Sequence, residues 1–370
     1  MIKNSTRLVS LDIFRGITVA FMIIVNTPGS WSYVYPPLRH AEWHGCTPTD
    51  LVFPFFLFIV GLSTWFSLKK YGHNINAGSL FRIIRRMAAI FAVGLLLAIF
   101  PYFLRDYSTL RILGVLQRIA MAYGLGAIIC LIFKREHLWI VIAVLLLAYW
   151  ALLGFAGGTD PYSLESNFAL RFDKAILGEN HLYKGFGIPF DPEGLLSTLP
   201  AICTVIIGFY AGELVGKKET GNKTVLLMIL LGIAATGLGL LWNLVFPINK
   251  PLWTSSYVLF TAGLAMIFLG MIYWIADVLK IQKWGMPFMV FGTNALFAYF
   301  LAGLWTKTML YLIKIPSGQD SISFYSWFYQ KVFVQVAGPM NGSLLFALFQ
   351  VMFIWVLTYI LYRKKIFVKL

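Results

Sequence analysis

The sequence predicts an all-α polytopic transmembrane helical bundle of about ten spans, and three observations predict it. Of its 370 residues, 59% are hydrophobic and only 12% charged, with a mean hydropathy of +0.78. A soluble domain carries charge on about a quarter of its residues. Apolar stretches of about twenty residues, enough to cross a ~30 Å hydrocarbon core, recur along the whole chain. No Walker A, GxGxxG, HExxH or GxSxG pattern occurs, which excludes a P-loop or Rossmann enzyme.

Taken in order, the spans are expected near 10–27, 49–68, 83–103, 112–133, 138–156, 195–216, 224–246, 254–276, 286–305 and 343–362. The first holds Asp12 and Arg15, three apart on one helical face, as an internal ion pair. It ends at Asn26, before Thr27-Pro28-Gly29, where the helix must break. The second opens with Thr47 as N-cap, Pro48 at the first helical position and Asp50 in the first turn. Pro54 is expected to bend it early and open a cavity at its end. The fourth carries Gln117 and Arg118 about a turn inside. Asp191-Pro192-Glu193-Gly194 precedes the sixth, Asn243 and Pro247 close the seventh, and Trp253-Thr254-Ser255-Ser256-Tyr257 opens the eighth. Residues 306–316 either extend the ninth span or form a half-helix of their own. Residues 322–336 (ISFYSWFYQKVFVQV) read as an amphipathic helix whose Trp and Tyr suit a membrane interface. The whole of 1–370 reads as one transmembrane domain with long connections at 28–48, 157–194 and 306–342.

Charge sets the expected orientation. The net charge is +15, which in a soluble chain would suggest nucleic acid. With the N-terminus in the cytoplasm, eighteen of the 30 Lys and Arg residues fall on the inner side, among them Lys3, Arg7, Lys218 and Lys369. That is the positive-inside pattern. Both termini are therefore expected in the cytoplasm, the three long connections outside, and nucleic acid is unnecessary.

Polar groups in the outer connections then stand out, because intramembrane and membrane-edge charges cost roughly 2.5–3.5 kcal/mol and need a partner or a purpose. In LRHAEWHGCTPTDL, His40 and His44 are four apart, a spacing that on a helix would suit a metal pair. No further His or Cys stands close enough to complete a site, so no metal is expected. Three cysteines, Cys46, Cys130 and Cys203, are likewise too scattered for zinc or a disulfide framework. Asp50 reads either as a helix-start residue alone or as the carboxylate that orients a histidine at the same level. Asn26 reads as a turn residue or a hydrogen-bond donor to a site.

These residues resemble a known family. Ser10-Leu11-Asp12-Ile13-Phe14-Arg15-Gly16, Val25-Asn26, His40-Ala41-Glu42-Trp43 and Thr49-Asp50-Leu51-Val52-Phe53-Pro54 are similar to the heparan-α-glucosaminide N-acetyltransferases and their NagX-like, YeiB-type bacterial relatives. Gly114 to Arg118, Asp191 to Gly194, Leu252 to Tyr257 and Gly292 to Tyr299 match in the same order, so the likeness covers nearly the whole chain. The resemblance implies a multi-pass protein of a bacterial cytoplasmic membrane, usually a homodimer. It implies acetyl transfer from cytosolic acetyl-CoA to the amine of a glucosamine-containing saccharide on the far side. It also implies that His40 is catalytic, with Asn26 and Asp50 beside it. The family's asparagine after the Trp is His44 here, a departure that bears on sugar contacts. The lysosomal member's extra N-terminal region is not matched, so lysosomal routing and heparan itself are not carried over.

The expected chemistry is acyl transfer from a thioester to a neutral amine, for which an imidazole of ordinary pKa ~6.5 is a suitable base. His40 Nε2 is expected to take the amine proton, Asp50 to fix the ring, and Asn26 to donate to the oxyanion, a role worth ~3 kcal/mol. The other route passes the acetyl group through His40 itself. Trp43, His44, Asp191, Glu193, Asn243, Trp253 and Ser255 are the expected acceptor contacts. Arg82, Arg85, Arg86 and Lys283 at the cytoplasmic mouth, with Arg118 along the route, are the expected coenzyme contacts. A sugar or lipid-linked glycan transporter or flippase fits the span count as well, though no internal repeat supports it. An O-acetyltransferase of envelope polysaccharide would use the same chemistry on a hydroxyl.

Overall fold

In hydrocarbon the backbone has no hydrogen-bonding partner but itself, so each long Leu, Ile, Val and Phe run must be helical. The computed structural model describes residues 8–103, 107–217, 221–317 and 320–368. Lys3, Arg7, Lys218 and Lys369, four of the inner basic residues, lie outside the described residues. The helices are α1 (Val9–Asn26), α2 (Val52–Leu68), α3 (Ala77–Ile99), α4 (Val115–Ile132), α5 (Leu138–Ala156) and α6 (Phe168–Leu177). They continue with α7 (Thr198–Gly216), α8 (Asn222–Trp242), α9 (Ser255–Tyr273), α10 (Met286–Thr293) and α11 (Ala295–Lys307). A hairpin of β1 (Lys314–Ser317) and β2 (Asp320–Ser323) leads to α12 (Phe324–Phe328) and α13 (Gln335–Arg363).

Among the described residues, nine helical stretches are long and apolar enough to cross a membrane. The expected third span is also helical, as α3, but Arg82, Arg85 and Arg86 crowd its first turns and keep it out of that set. The chain is thus an all-α, multi-pass bundle.

Two local expectations change and two take definite form. Pro54 does not break α2, because it stands in the first turn, where its missing N–H costs no intrahelical bond. The ninth span is two helices, parted at Asn294, whose side chain donates to the Ile366 carbonyl (3.1 Å) and accepts from Val368 N (2.8 Å). The C-terminal tail is thereby folded under the bundle at that break. Residues 308–312 extend α11 as a π-helical turn before β1, and the expected helix at 322–336 is α12 continued by a π-helical turn, Tyr329–Val334.

Glycines set the tightest contacts. A Cβ on Gly16 would strike the Phe288 carbonyl, and one on Gly292 the Asp12 carbonyl; Gly61 and Gly208 meet the Val205 and Phe58 carbonyls in the same way. Small residues facing one another let helix backbones touch where hydrophobic driving force between helices is absent. The pairs α1–α10 and α2–α7 therefore form the inner walls. Outside them α5 and α8 expose Leu, Ile and Trp side chains along most of their length, as lipid-facing helices do.

The helix ends carry the polar work. Asp277 accepts from the N–H groups of Val9 (3.3 Å) and Ser10 (2.9 Å), so a carboxylate from the end of α9 meets the positive end of α1. At the opposite end of the bundle, residues 157–194 with α6 fold over the helix tips, and Phe190, Leu170 and Leu196 pack on Tyr149, Phe246 and Leu252.

Candidate active site

The site begins with a loop that cannot wander. Between α1 and α2, Thr47 Oγ1 donates to the Arg39 carbonyl (2.6 Å), and Gly45 N donates to the Ile248 carbonyl (2.7 Å). Gly45 has φ 103°, a left-handed conformation that glycine adopts without strain. Asn249 in the α8–α9 connection donates to the Trp43 carbonyl (2.9 Å) and accepts from Leu252 N (2.7 Å). Two segments 200 residues apart in sequence are thus stitched side by side.

Asp50 sits at their junction. Its Oδ1 lies 2.6 Å from His40 Nδ1; its Oδ2 accepts from Ala41 N and Thr47 N, each at 3.0 Å, with Thr47 Oγ1 also 3.0 Å away. The Asp50 carbonyl accepts from the buried Tyr257 hydroxyl at 2.5 Å. The carboxylate is 2% exposed, whereas the His40 side chain is 45% exposed. A carboxylate so held can only accept, so the His40 proton belongs on Nδ1 and the Nε2 lone pair faces outward.

Lys250 stands against the same imidazole, its Nζ 3.0 Å from Nδ1, 3.4 Å from Nε2 and 3.5 Å from Asp50 Oδ1. A hydrogen bond along one lone pair would leave the other ring nitrogen far more distant. Near-equal distances put the ammonium over the ring face, which leaves Nδ1 free for Asp50. Burial pulls the Lys250 ammonium below its ordinary value, with Asp50 opposing that fall. Cys46 is close by, but burial and the Asp50 charge push its thiol up to about 12, so it offers no thiolate near neutral pH.

His40, Asp50 and Lys250 open into a cavity of about 360 Å³ whose far wall is Arg111, Tyr183, Phe186 and Glu193. Arg111 makes a forked pair with Asp191 (2.9 and 2.7 Å), reaches Glu193 (2.5 Å) and lies over the Tyr183 ring (4.6 Å). Burial alone would lower Arg111, but the two carboxylates hold its guanidinium above its ordinary value.

Two more cavities follow the same seam toward the end of the bundle where α1 starts and α13 ends. One of about 400 Å³ shares Arg111 and Val115 with the first and is lined by Gly94, Leu97, Gln117 and Tyr299. The other, about 250 Å³, is lined by Ile90, Ile119 and Leu296, each about one helical turn from Gly94, Val115 and Tyr299. It ends among Arg15, Arg82, Arg86, Ser63 and Ser67. There Arg15 donates to Ser63 Oγ (2.6 Å) and the Gly292 carbonyl (3.0 Å) and pairs with Asp12 (3.4 Å). Arg86 lies over the Tyr123 ring (4.8 Å), and its Nε, like Ser67 Oγ, is buried with no hydrogen-bond partner. A buried donor left unpaired costs about 1–3 kcal/mol unless something accepts from it.

The residues singled out from sequence divide accordingly. His40, Asp50 and Glu193 line the first cavity, Asp191 stands behind Arg111, and Arg86 lines the basic chamber. Asn26 ends α1 with an exposed side chain and is not among the residues lining these cavities. Trp43 and His44 brace the loop: Trp43 Nε1 donates to the Tyr162 carbonyl (2.8 Å), and His44 Nδ1 meets Asn249 Nδ2 (3.4 Å). Asn243 accepts from Ile248 N (2.7 Å) and Ser255 donates to the Leu146 carbonyl (2.8 Å), both contacts within the framework.

Trp253 is fully buried with φ 53°, a strained conformation for so large a side chain, and Arg118 lies over its ring at 5.3 Å. Arg118 is buried too and donates to Ser197 Oγ (2.5 Å) and the carbonyls of Gly194 (2.9 Å) and Ser197 (3.2 Å). It braces the start of α7 rather than a cavity. Arg85 and Lys283 are exposed and line none of the three cavities. Arg82, expected at the coenzyme's mouth, lines the basic chamber beside Arg86, whereas sequence reasoning missed Lys250, Arg111 and Arg15 as site residues. Lys250 and Arg111 were hidden among basic residues of the outer connections, and only the stitching of loops distant in sequence reveals them.

A family model for the catalytic region of heparan-alpha-glucosaminide N-acetyltransferase matches residues 7–228. The heparan-alpha-glucosaminide N-acetyltransferase of Homo sapiens is 28% identical over 98% of this chain and 60% of its own length. That of Mus musculus is 26% identical over 80% of this chain and 53% of its own length. The chain therefore spans between about half and three fifths of the curated relatives it matches.

Proposed function

Because this chain belongs to the heparan-alpha-glucosaminide N-acetyltransferase catalytic family, we propose that it is a transmembrane N-acetyltransferase carrying acetyl groups from acetyl-CoA on one side to an amino sugar on the other. The observation that carries this reading is a seam of three cavities, two of them lined by α3, α4 and α11 and the third by the loops that bear His40, Arg111 and Lys250. It leads from a chamber walled by Arg15, Arg82 and Arg86 to the outward-facing Nε2 of His40. From Arg82 to Leu97 along α3 this is ~22 Å, at 1.5 Å per residue.

The lining of that seam suits the parts of the donor. Its phosphates would pair with the arginines, Arg86 Nε and Ser67 Oγ gaining the acceptors they lack, and the narrow pantetheine arm would lie between Gly94, Val115 and Tyr299. The positive-inside pattern supports an arginine chamber on the cytoplasmic face and His40 on the extracytoplasmic face. At the His40 cavity the neutral amine attacks the thioester carbonyl carbon, and the C=O electron pair moves to oxygen. His40 Nε2 takes the amine proton. Collapse of the adduct breaks the C–S bond, and the departing thiolate takes that proton from His40, leaving amide and coenzyme thiol. Asp50 holds the ring and stabilises the imidazolium between the two proton transfers.

Purified protein with labelled acetyl-CoA and glucosamine-type acceptors tests this. Acceptor-dependent label on the sugar nitrogen, lost in His40→Ala, is the expected result. Glucosamine uptake into vesicles without acetylation would replace it with the transporter reading.

A further inference from the structure

We propose that Lys250 is a catalytic residue of this site, its ammonium receiving the negative charge that develops on the thioester carbonyl oxygen; the inference rests on the acetyl-transfer reading above. Attack by an amine turns that oxygen into an alkoxide, and the step is fast only if a donor already waits for it in a poorly solvated place. Lys250 meets both conditions. Its side chain is 17% exposed, and it lines the same cavity as His40. Its position over the imidazole face puts it beside the reacting carbonyl when the amine stands at Nε2.

Three observations set Lys250 apart from an ordinary structural lysine. The one carboxylate at ion-pair distance among the described residues, Asp50 Oδ1 at 3.5 Å, is already engaged by His40 Nδ1 at 2.6 Å. The other Asp50 oxygen is taken by Ala41 and Thr47. The ammonium is therefore held in place without being fully paired. Its backbone is fixed by Asn249, whose side chain is tied to Trp43 and Leu252. Asn26 is not among the residues that line this cavity.

The groups facing Lys250 are His40, Asp50 and Cys46 from the α1–α2 loop and Glu193 from the loop before α7, with Arg111 and Tyr183 across the cavity. Cys46 stays protonated, and burial outweighs the carboxylates in drawing the Lys250 pKa down. The alkaline limb of turnover should therefore report loss of the Lys250 proton. An Arg in its place would not titrate in that range.

The test is the steady-state rate of full-length protein against pH for wild type, Lys250→Arg and Lys250→Gln. Lys250→Gln should lose about 100-fold or more in kcat with the KM for acetyl-CoA little changed. Lys250→Arg should recover part of that loss and lack the alkaline limb that wild type shows. A Lys250→Gln kcat within about threefold of wild type, or an alkaline limb identical in wild type and Lys250→Arg, would overturn the assignment. Wild type that transfers no acetyl group to any amine would instead sink the acetyl-transfer reading, so the two failures are distinct.

Discussion

Asp50 Oδ1 lies 2.6 Å from His40 Nδ1, while Oδ2 of the same carboxylate closes the start of α2 through Thr47. One side chain thus both caps a helix and fixes an imidazole. Asp50→Asn keeps the shape but turns an NH2 toward groups that all need an acceptor. It should lower kcat by about 100-fold or more while changing the KM for acetyl-CoA little. Steady-state kinetics check this, and an Asn variant with wild-type kcat would show that the pair is only structural.

The arginine chamber makes a separate prediction about the donor. Arg82→Ala and Arg86→Ala should each raise the KM for acetyl-CoA by about tenfold, the scale of one charge-assisted contact. The same variants should treat S-acetylpantetheine, which lacks the nucleotide phosphates, as wild type does. Equal losses with both donors would place the phosphates elsewhere.

Val115 lines both cavities that meet at Arg111. Val115→Trp should fill the junction and cut transfer by about 100-fold, while coenzyme A binding, followed by calorimetry, persists at the arginine chamber. Full activity in this variant would mean that the acetyl group travels by another path.

Asp173 gives a pH-dependent stability with a sign opposite to most carboxylates. Burial pushes its carboxyl up to about 6, although Leu195 N and Leu196 N donate to it. The folded protein then binds more protons than the unfolded chain between the ordinary aspartate value of about 3.9 and 6. The group therefore costs stability as pH rises through that window, and the cost persists above it. Asp173→Asn keeps an acceptor oxygen and does not titrate. It should melt higher than wild type at about pH 8 and lose that advantage as pH falls below about 4. A difference independent of pH would contradict the assignment.

The helices were legible because apolar length alone decides them in a membrane, and Thr47-Pro48-Thr49-Asp50 announced the start of α2 through local capping chemistry. The break at Asn294 was not legible, since what holds it is the C-terminal tail, more than seventy residues away. The expectation for Pro54 failed because a proline matters by its position in the helix rather than its presence. At the site, His40 and Asp50 are ten residues apart and could be paired from one short stretch. Lys250 and Arg111 reach the cavity only through the folding of distant loops, and no local pattern marks them. Arg118 and Trp253 showed the reverse. Their polar or aromatic character suggested binding, but each is buried and spent on bracing the other and the start of α7.

The central claim is that acetyl groups cross from the arginine chamber to His40. The most direct test seals labelled acetyl-CoA inside vesicles containing the oriented protein, its arginine chamber facing the lumen, with a glucosamine-type acceptor supplied only outside. The account predicts labelled N-acetyl sugar outside for wild type and none for His40→Ala. Product formed only when donor and acceptor share one side, or undiminished in His40→Ala, would contradict it.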